Sequence, residues 1–505
     1  MSHKLSDLIS NHELASPRLG LHETDPMISS LASDSRRVTA GGLFIALDGA
    51  KQNGADFIPD AIQNEAAAIV TAAHSSEPWM RTPEPRQLLA AVAARFYPIK
   101  PKTIVAVTGT NGKTSVANFC QQIWEGLGLK AASIGTLGIK KTSRELPNPS
   151  LTTPDTITLH RILQELAHEG FTHVAIEASS HGLEQYRLDH IALTAGGYTN
   201  LTQDHLDYHQ TMEKYFSAKS RLFRAILSAE AIAVLNGNDP QIERLKTICL
   251  ERGIKVISYG NREEIGKNDL FIASHSYTAN GQKARVRFKN QEYLLRIQFI
   301  AEFQLYNLLC AIGLVMSEGY SFEMIVDLVN SKELHNIPGR IEKVITDDPS
   351  KNIYIDYAHT PDGLKSILES MKQYLDNSGR KGSIIVVFGC GGDRDRTKRP
   401  IMGAIAAELA NCAIITDDNP RSETPAAIRQ EIIDGIRSQT GSISDSFKYQ
   451  EIGDRSIAIK TALEMASQND IVLVAGKGHE NGQIIGDKVL EFSDEVEVRK
   501  WLKTK

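Results

Sequence analysis

Cysteine is scarce in this sequence, and its placement excludes two common roles. The 505 residues contain only five cysteines, at positions 120, 249, 310, 390 and 412, with no paired spacing. Disulfide frameworks and zinc sites both use cysteines at short or regular spacings. This pattern is typical of buried thiols in a reducing cytosol, so we expect a cytoplasmic protein.

Long apolar runs and a strong net charge are also lacking. No uninterrupted apolar stretch is long enough to cross a bilayer, and the first ten residues lack the apolar core of a signal peptide. The formal net charge is only -5. We therefore expect neither nucleic-acid binding nor membrane insertion, and an anionic substrate would have to be held by local charge.

The length indicates more than one domain. A chain of 505 residues is too long for a single compact core, and about three domains are expected. The segment Tyr97–Lys102 holds two prolines in six residues, which resist helix formation and indicate a linker. We predict domains at residues 1–100, 101–336 and 337–505.

Short apolar runs alternate with helical patterns such as Gln87–Phe96 and Ile401–Leu409. The predicted strands are Gly42–Leu47, Thr172–Ile176, Ala231–Leu235, Asn352–Ile355, Ser383–Phe388, Ala413–Thr416 and Asp470–Ala475. Such alternation indicates βαβ units and parallel sheets, which is the α/β fold class.

The segment Thr103–Ser115, T-I-V-A-V-T-G-T-N-G-K-T-S, predicts a nucleoside triphosphate site. A β-branched run leads into a loop between two glycines, from which backbone N–H groups can point at phosphate oxygens. Lys113 would reach the terminal phosphates, and the Thr114 hydroxyl would hold a magnesium ion. The spacing departs from the usual P-loop, because Val107 stands where that motif has its first glycine. An ordinary glycine-containing βα turn is the alternative.

Polar clusters follow five of the predicted strands. They are Glu177, Asp356–His359, Gly389–Arg394, Asp417–Arg421 and Gly476–Glu480. Because ligands of open α/β sheets bind beyond the carboxyl ends of the strands, these clusters predict a ligand site. Glu177 could bind magnesium beside the phosphate loop, or it could be a solvated residue at a strand end.

The segment Asn200–His209 contains two histidines and two aspartates in ten residues, which suggests a metal or phosphate site. Histidine would be an unusual ligand for magnesium, which prefers oxygen. Lys219, in Tyr215–Phe223, has on its own the features of an ordinary helix lysine.

Together these motifs closely resemble the Mur ligases, the ATP-dependent amino-acid ligases that build the peptidoglycan precursor. The segments that carry the resemblance are Thr108–Thr114, Glu177, Asn200–His209, Tyr215–Phe223, Phe303 with Asn307, Pro338–Glu342 and Asp356–Asp362. The shortened phosphate loop is the form found in this family. The resemblance covers nearly the whole chain. It implies an N-terminal UDP-sugar-binding α/β domain, a central P-loop-type ATPase domain and a C-terminal Rossmann-like domain that binds the amino acid.

Further motifs resemble the family member that adds the third amino acid. They are D-S-R at Asp34–Arg36, L-T-T-P-D-T at Leu151–Thr156, A-S-S-H-G-L at Ala178–Leu183, G-C-G-G-D-R at Gly389–Arg394, D-N-P-R at Asp418–Arg421 and G-K-G-H-E at Gly476–Glu480. The implied reaction joins meso-2,6-diaminopimelate to the D-Glu γ-carboxylate of UDP-MurNAc-L-Ala-D-Glu through an acyl phosphate. ATP is the implied co-substrate, Mg²⁺ the implied cofactor, and the enzyme is expected to be a monomer that serves cell-wall biogenesis, cell shape and cell division.

The resemblance also implies roles for individual residues. The implied ATP-binding residues are Gly109, Thr110, Asn111, Gly112, Lys113, Thr114, Ser115, Asn307, Arg340 and Asp356. The implied catalytic residues are Lys113, Glu177, His205 and Lys219, and the implied metal ligands are Thr114, Glu177, His205 and Lys219, the last as a carbamylated N6-carboxylysine. The implied residues for the UDP-MurNAc-dipeptide are Ser33, Ser35, Thr152, Thr153, Ser179, Gln185 and Arg187. The implied diaminopimelate residues are Arg394, Asp418, Asn419, Pro420, Arg421, Gly476 and Glu480.

Two other functions are consistent with parts of the sequence. One is another enzyme of the same superfamily, such as folylpolyglutamate synthetase or a neighbouring Mur ligase, against which the D-N-P-R and D-S-R motifs argue. The other is a nucleotide-regulated binding or motor protein that hydrolyses ATP without ligation. It is disfavoured because three charged clusters at strand ends of the third segment suit a small zwitterion. With ATP and amino acid on different domains, domain closure is expected during turnover.

Overall fold

Three main β-sheets follow one another along the chain. The structure is a computed structural model that describes residues 2–14, 25–49, 52–72, 80–141, 144–146, 151–261, 269–278, 281–332, 334–335, 337–346, 352–377, 381–439 and 447–503. Helices alternate with the strands of each sheet, so the predicted α/β fold class is confirmed.

The first sheet has four parallel strands. In spatial order they are Ser30–Ala32, Gly42–Ile45, Ala68–Thr71 and Met80–Arg81. The helices of this part are Leu5–Leu8, Ile58–Gln63 and Pro85–Phe96, and a short antiparallel pair joins His3–Lys4 to Met27–Ile28. Helix Pro85–Phe96 begins with proline, whose missing N–H costs nothing in the first turn, and it packs its apolar side on the sheet.

The second sheet has eleven strands. In spatial order they are Arg144–Leu146, Gly138–Lys141, Ala131–Gly135, His173–Glu177, Thr103–Thr108, Ala195–Tyr198, Ile232–Asn236, Lys255–Gly260, Leu270–Thr278, Gly281–Phe288 and Gln291–Ile297. Its helices are Lys113–Gly126, Thr156–His168, Ser180–Glu184, Leu206–His209, Met212–Arg221, Ile242–Glu251, Glu302–Met316 and Phe322–Ser331. The middle strands are parallel and buried on both faces, whereas antiparallel strands close the two edges.

The third sheet has six strands, of which only the edge strand Glu342–Lys343 is antiparallel to its neighbour. The others, in spatial order, are Asn352–Asp356, Ile471–Ala475, Ile384–Phe388, Cys412–Ile415 and Lys448–Glu451. Its helices are Pro361–Asn377, Lys398–Leu409, Pro425–Ser438, Arg455–Met465 and Asp494–Lys503. A hairpin of Gly482–Ile485 and Lys488–Glu491 lies beside this sheet.

The predicted strands and helices are all present, with ends that differ by one to three residues. Glu177 and Asp356 are the last residues of their strands, so their side chains are fixed by the sheet. All five cysteines fall within the described ranges and are buried free thiols, as predicted. Among the described residues, no helix combines the length and apolarity needed to cross a bilayer.

Candidate active site

The phosphate loop connects strand Thr103–Thr108 to helix Lys113–Gly126, as the sequence predicts. Gly109 and Gly112 have φ values of +152° and +88°, which residues with a side chain rarely adopt. A Cβ at Gly109 would lie 1.8 Å from Thr199 Oγ1, and one at Gly112 would lie 2.3 Å from Asn307 Oδ1. Both glycines are therefore required by backbone conformation and by close packing, and the loop leaves its N–H groups at a helix N-terminus.

Lys113 folds back over this loop. Its Nζ donates to the carbonyls of Gly109 and Thr110, both at 2.8 Å. Burial lowers the pKa of Lys113, and the neighbouring carboxylates Glu177 and Asp204 oppose that shift. The ammonium group is thus fixed at the loop by two carbonyls that a phosphate oxygen could replace.

Lys219 is not the solvated lysine that its residue type suggests. Its side chain is only 1% exposed, its Nζ donates to the carbonyl of Gly109 at 2.7 Å, and it lies 4.4 Å above the centre of the Tyr215 ring. Burial and the positive charge of Lys113 hold the pKa of Lys219 well below its usual range. A lowered pKa makes it easier for Lys219 to lose its proton, and the neutral amine is the form that can react with carbon dioxide.

Glu177 is a buried carboxylate, which rules out the solvated alternative. It is 2% exposed and accepts hydrogen bonds from the backbone N–H of Thr136 at 2.8 Å and from its hydroxyl at 3.1 Å. Gly135 gives it room, since a Cβ there would lie 2.0 Å from Glu177 Oε1. These contacts therefore hold the Glu177 carboxylate in one position near the phosphate loop.

Five of the residues predicted for the UDP-MurNAc-dipeptide form one network beside Glu177. Thr153 Oγ1 contacts the Glu177 carbonyl at 2.7 Å and the Ser179 hydroxyl at 3.0 Å. Arg187 donates to the Thr153 carbonyl at 2.6 Å and to Gln185 Oε1 at 2.7 Å. The fifth residue, Thr152, lies 3.3 Å from the Thr136 hydroxyl.

The other two predicted residues of this group lie just after the first strand of the first sheet. Ser33 follows strand Ser30–Ala32, and Ser35 begins the short 3₁₀ turn Ser35–Arg37. Gln87 Nε2 links the first part of the chain to the second by donating to the Tyr186 hydroxyl at 3.0 Å. Because Tyr186 stands between Gln185 and Arg187, this contact ties helix Pro85–Phe96 to the part of the predicted site on the second sheet.

His205 belongs to a cluster of aromatic and histidine rings. It has the left-handed conformation, with φ +53°, and its ring lies 5.1 Å from the His181 ring and 6.2 Å from the Tyr215 ring. Asp204 accepts from the His205 backbone N–H at 2.9 Å, and its other oxygen lies 3.4 Å from His205 Nε2. Burial lowers the pKa of His205, although Asp204 opposes the shift, so a neutral imidazole is favoured near pH 7.

The predicted metal ligands remain a prediction. Within the described ranges, no three histidine, cysteine, aspartate or glutamate side chains lie close enough together to hold a metal ion. Thr114, Glu177 and His205 offer two oxygen donors and one nitrogen donor. A carboxylated Lys219 would add the anionic oxygen that a magnesium site prefers.

A cavity of about 250 Å³ lies between the second and third sheets. The predicted ATP-binding residues that line it are Asn111, Gly112, Thr114, Ser115, Asn307, Arg340 and Asp356, and Phe303 lines it as well. Arg340 Nη2 donates to Thr114 Oγ1 at 3.1 Å, while Arg340 Nε is buried without a hydrogen-bond partner in the described part of the chain. That N–H group can donate a hydrogen bond to an anionic ligand in this cavity.

Asp356 is held in this cavity by two backbone donors. It accepts from the N–H groups of Ile341 at 2.7 Å and Ala358 at 2.6 Å. Burial raises the pKa of Asp356 to about 6, against the opposing effects of Arg340 and these two hydrogen bonds. At neutral pH the carboxylate is ionised and can accept hydrogen bonds from ligand hydroxyls.

A second cavity, of about 820 Å³, is lined by residues from both the second and the third part of the chain. Asp204 and His205 line it from the second sheet, and Tyr357 and His359 line both cavities. The predicted diaminopimelate residues that line it are Arg394, Asp418, Asn419, Arg421, Gly476 and Glu480. Side chains near the phosphate loop therefore share one space with the D-N-P-R cluster.

Arg421 is fixed by backbone contacts with the hairpin. Its φ is +52°, and its N–H donates to the Ile484 carbonyl at 3.0 Å. Its Nη1 donates to the Gly392 carbonyl at 2.8 Å. Pro420 is also closely packed, since a Cβ at Gly392 would lie 1.9 Å from the Pro420 carbonyl oxygen.

Several residues of the site were predicted only as members of a polar cluster, without a role of their own. Three of them line the large cavity, namely Asp204, Tyr357 and His359, and Lys477 contacts Asn419, which lines it too. The available signal was proximity in sequence to an assigned residue. It does not reveal which side chain points into the site.

Comparisons with known proteins follow the same three-part division. The chain matches the models of the Mur ligase family catalytic domain at residues 27–97, the Mur ligase middle domain at 107–315, and the Mur ligase glutamate ligase domain at 339–478. A protein of Chelativorans sp. named UDP-N-acetylmuramoyl-L-alanyl-D-glutamate–2,6-diaminopimelate ligase is 44% identical, over 96% of this chain and 97% of its own. A Rhizobium meliloti protein of the same name is 42% identical over 99% of both chains.

Solved structures agree with these matches. A structure of a UDP-N-acetylmuramoyl-L-alanyl-D-glutamate–2,6-diaminopimelate ligase aligns with a TM-score of 0.70 and 32% identity, covering 100% of this chain and 99% of that one. The MurF ligase of Thermotoga maritima in complex with ADP has a TM-score of 0.60 at 16% identity, covers 94% of this chain and 97% of its own, and shows the shared fold alone. On these identities and coverages, the chain belongs to the Mur ligase family.

Proposed function

We propose that this protein is an ATP-dependent ligase that joins meso-2,6-diaminopimelate to the D-Glu γ-carboxylate of UDP-MurNAc-L-Ala-D-Glu, in peptidoglycan precursor synthesis. The observation that carries the proposal is the cavity of about 820 Å³, because Asp204 and His205, near the phosphate loop, and Asn419 and Arg421 of the D-N-P-R motif line it together. The names of the relatives that match nearly the whole chain support the same reaction.

The proposed chemistry proceeds in two steps. An oxygen of the D-Glu γ-carboxylate attacks the γ-phosphorus of ATP, the bond to the β-phosphate oxygen breaks, and ADP leaves. The amine of diaminopimelate then attacks the carbonyl carbon of the acyl phosphate, loses a proton, and phosphate leaves from the tetrahedral intermediate. Two anions must approach each other in the first step, so catalysis depends on positioning and on neutralising charge.

The phosphate loop and its lysine supply part of that neutralisation. Lys113 and the N–H groups of the loop would hold the terminal phosphates, and the buried Nε of Arg340 would donate to a phosphate oxygen. Asn307 and Asp356, which line the same cavity, would contact the adenine and the ribose. The catalytic groups in this proposal are Lys113, Glu177, His205 and Lys219.

Magnesium, when bound, would offset the negative charge of the phosphates. The residues proposed to hold it are Thr114, Glu177, His205 and Lys219. The buried amine of Lys219 fits this role only as a carbamate, because its free ammonium would repel a cation. Carbamylation joins the amine nitrogen to the carbon of carbon dioxide and releases one proton, which leaves an anionic oxygen beside the loop.

The two other substrates are proposed to bind on either side of this centre. The UDP-MurNAc-dipeptide would contact Ser33 and Ser35 on the first sheet and Thr152, Thr153, Ser179, Gln185 and Arg187 on the second. Diaminopimelate would contact Arg394, Asp418, Asn419, Pro420, Arg421, Gly476 and Glu480. We also propose domain limits at residues 1–100, 101–336 and 337–505, and a cytoplasmic monomer that closes its domains during turnover.

Phosphate release tests the proposed function. The purified protein would be incubated with ATP, Mg²⁺, UDP-MurNAc-L-Ala-D-Glu and one candidate amino acid at a time. Release should require both the UDP substrate and meso-diaminopimelate, and the UDP product should gain the mass of one diaminopimelate residue. ATP turnover that ignores both additions would contradict the proposal and support an ATPase without ligase activity.

A further inference from the structure

Lys477 is a completely buried cation beside the proposed diaminopimelate site. Its side chain is 0% exposed, and its Nζ donates to Asn419 Oδ1 at 2.9 Å and to the carbonyl of Gly482 at 2.7 Å. The nearest oxygens of Asp418 and Glu480 both lie 3.5 Å from the same nitrogen. A lysine in a closed space needs such partners, because an unpaired buried charge is strongly unfavourable.

These contacts fix the orientation of the Asn419 amide. Asn419 Oδ1 accepts from Lys477 Nζ and from the backbone N–H of Ile484, both at 2.9 Å. Neither partner can accept a hydrogen bond, so the oxygen of the amide must face them. The Nδ2 group is then turned towards Glu480, to which it donates at 3.0 Å.

Lys477 also affects the charge of Glu480. Burial and the negative charge of Asp418 raise the pKa of Glu480, and Lys477 and Asn419 oppose that shift. Glu480 and Asp418 both line the large cavity, where a carboxylate can hold a substrate ammonium. The position of Glu480 therefore depends on Lys477 and Asn419, and both side chains favour its ionised form.

We propose that Lys477 is a positioning residue for the amino-acid substrate, which acts by orienting Asn419 and holding Glu480 in place. The inference rests on the proposed function, since it takes the cavity beside Asn419 and Glu480 as the amino-acid site. The hairpin Gly482–Glu491 takes part, because its Gly482 carbonyl and Ile484 N–H complete the contacts of Lys477 and Asn419. Lys477 itself does not contact the reacting atoms.

A double-mutant cycle tests this assignment. The variants are Lys477→Met, Asn419→Ala and the combination, and Lys488→Met on the exposed part of the same hairpin is the matched control. Loss of a charged hydrogen bond predicts a roughly 10- to 100-fold increase in KM for diaminopimelate in Lys477→Met. The KM values for ATP and UDP-MurNAc-dipeptide should change by less than about threefold, since their sites lie elsewhere.

The cycle distinguishes a positioning role of Lys477 from a role in stability alone. If Lys477 acts through Asn419, Lys477→Met should add little further effect in the Asn419→Ala protein. Fully additive effects, or equal increases in all three KM values, would overturn the proposal. Lys477→Gln, which keeps an N–H donor group without the charge, provides a second variant, and loss of folding in both Lys477 variants would also overturn the proposal. If the wild type uses another amino acid, the proposed substrate is wrong, but the same cycle can then be measured with that amino acid.

Discussion

Lys219 Nζ donates a hydrogen bond of 2.7 Å to the carbonyl of Gly109, although the two residues are 110 positions apart. This contact joins helix Met212–Arg221 to the first glycine of the phosphate loop. It also brings Lys219 close to Lys113, whose positive charge helps to lower the pKa of Lys219. Carbamylation would place an anion beside the cationic Lys113 and keep an N–H group that can still donate to the Gly109 carbonyl.

Replacing Lys219 with alanine should therefore reduce ligation by roughly 100- to 1000-fold, the cost of one removed group that stabilises charge in the transition state. Acetate or another short carboxylate should restore part of the rate by refilling the anionic position. Initial rates with and without the added carboxylate measure both effects. Lys214→Ala, on the exposed side of the same helix, should behave like the wild type.

The mass of the intact protein provides a direct check of the modification. Wild-type enzyme measured under native conditions with bicarbonate should carry one additional carboxyl group, and Lys219→Ala should not. Full activity after removal of carbon dioxide and bicarbonate, or an active enzyme with a free Lys219 amine, would contradict the carbamate.

Replacing Lys113 with alanine should abolish ligation and leave binding of the UDP substrate intact. Lys113 donates to the carbonyls of Gly109 and Thr110, whereas the predicted UDP-substrate residues form a separate network around Thr153. Calorimetry with the UDP substrate and phosphate-release rates measure the two properties, with Lys102→Ala as an exposed control. Ligation retained within about tenfold, or ~1.4 kcal/mol of barrier, would remove Lys113 from the active site.

The sequence predicts the parts of the site that depend on local rules. Glycines in a strand–loop–helix segment indicate the phosphate loop, and the rule that ligands bind beyond the carboxyl ends of parallel strands indicates Glu177 in the second sheet and Asp356 in the third. Such local rules do not predict the roles of Lys219 and Lys477. Their roles depend on burial and on partners 110 and 58 positions away, which arise only from tertiary packing. The motif resemblance pointed to Lys219 but gave no role to Lys477.

The pH dependence of ATP binding should report the ionisation of Asp356. Its pKa is about 6 in the folded protein, and the ionised form is the stronger acceptor for a ribose hydroxyl beside its two backbone donors. The KM for ATP should therefore fall as the pH rises through about 6. Asp356→Asn should weaken ATP binding and lose this dependence. An unchanged pH profile in the variant would show that another group titrates.

The same ionisation affects stability with a definite sign. Folding raises the pKa of Asp356 from its ordinary value of 3.8 to about 6, so the folded state favours the protonated carboxyl group. This contribution is present below pH 4 and is lost as the pH rises through about 6, and it amounts to on the order of 3 kcal/mol. Urea unfolding at pH 4.5 and 7 measures the free energy of unfolding of the wild type and of Asp356→Asn. The difference between the two proteins should change with pH. A constant difference would contradict the raised pKa.

Arg421 should select meso-diaminopimelate over lysine. The two amino acids differ by one carboxylate, and a selective site needs a cation where that group lies. Arg421 lines the large cavity, and its backbone is held at φ +52° by the hairpin. Among the described residues its side-chain hydrogen bonds all come from Nη1, which leaves other guanidinium N–H groups to bind a carboxylate in a bidentate manner.

Lysine would leave this guanidinium desolvated and unpaired, at a cost of roughly 1–3 kcal/mol or more. The wild type should therefore use diaminopimelate and nearly ignore lysine. Arg421→Ala should lose most activity with diaminopimelate and should show a smaller preference for diaminopimelate over lysine. Arg437→Ala, on helix Pro425–Ser438, should keep the wild-type activity and the wild-type preference. The ratio of kcat/KM for the two amino acids is the decisive measurement. Efficient use of lysine by the wild type, or an unchanged ratio in Arg421→Ala, would defeat the assignment, because a cation that binds the distal carboxylate must affect that ratio.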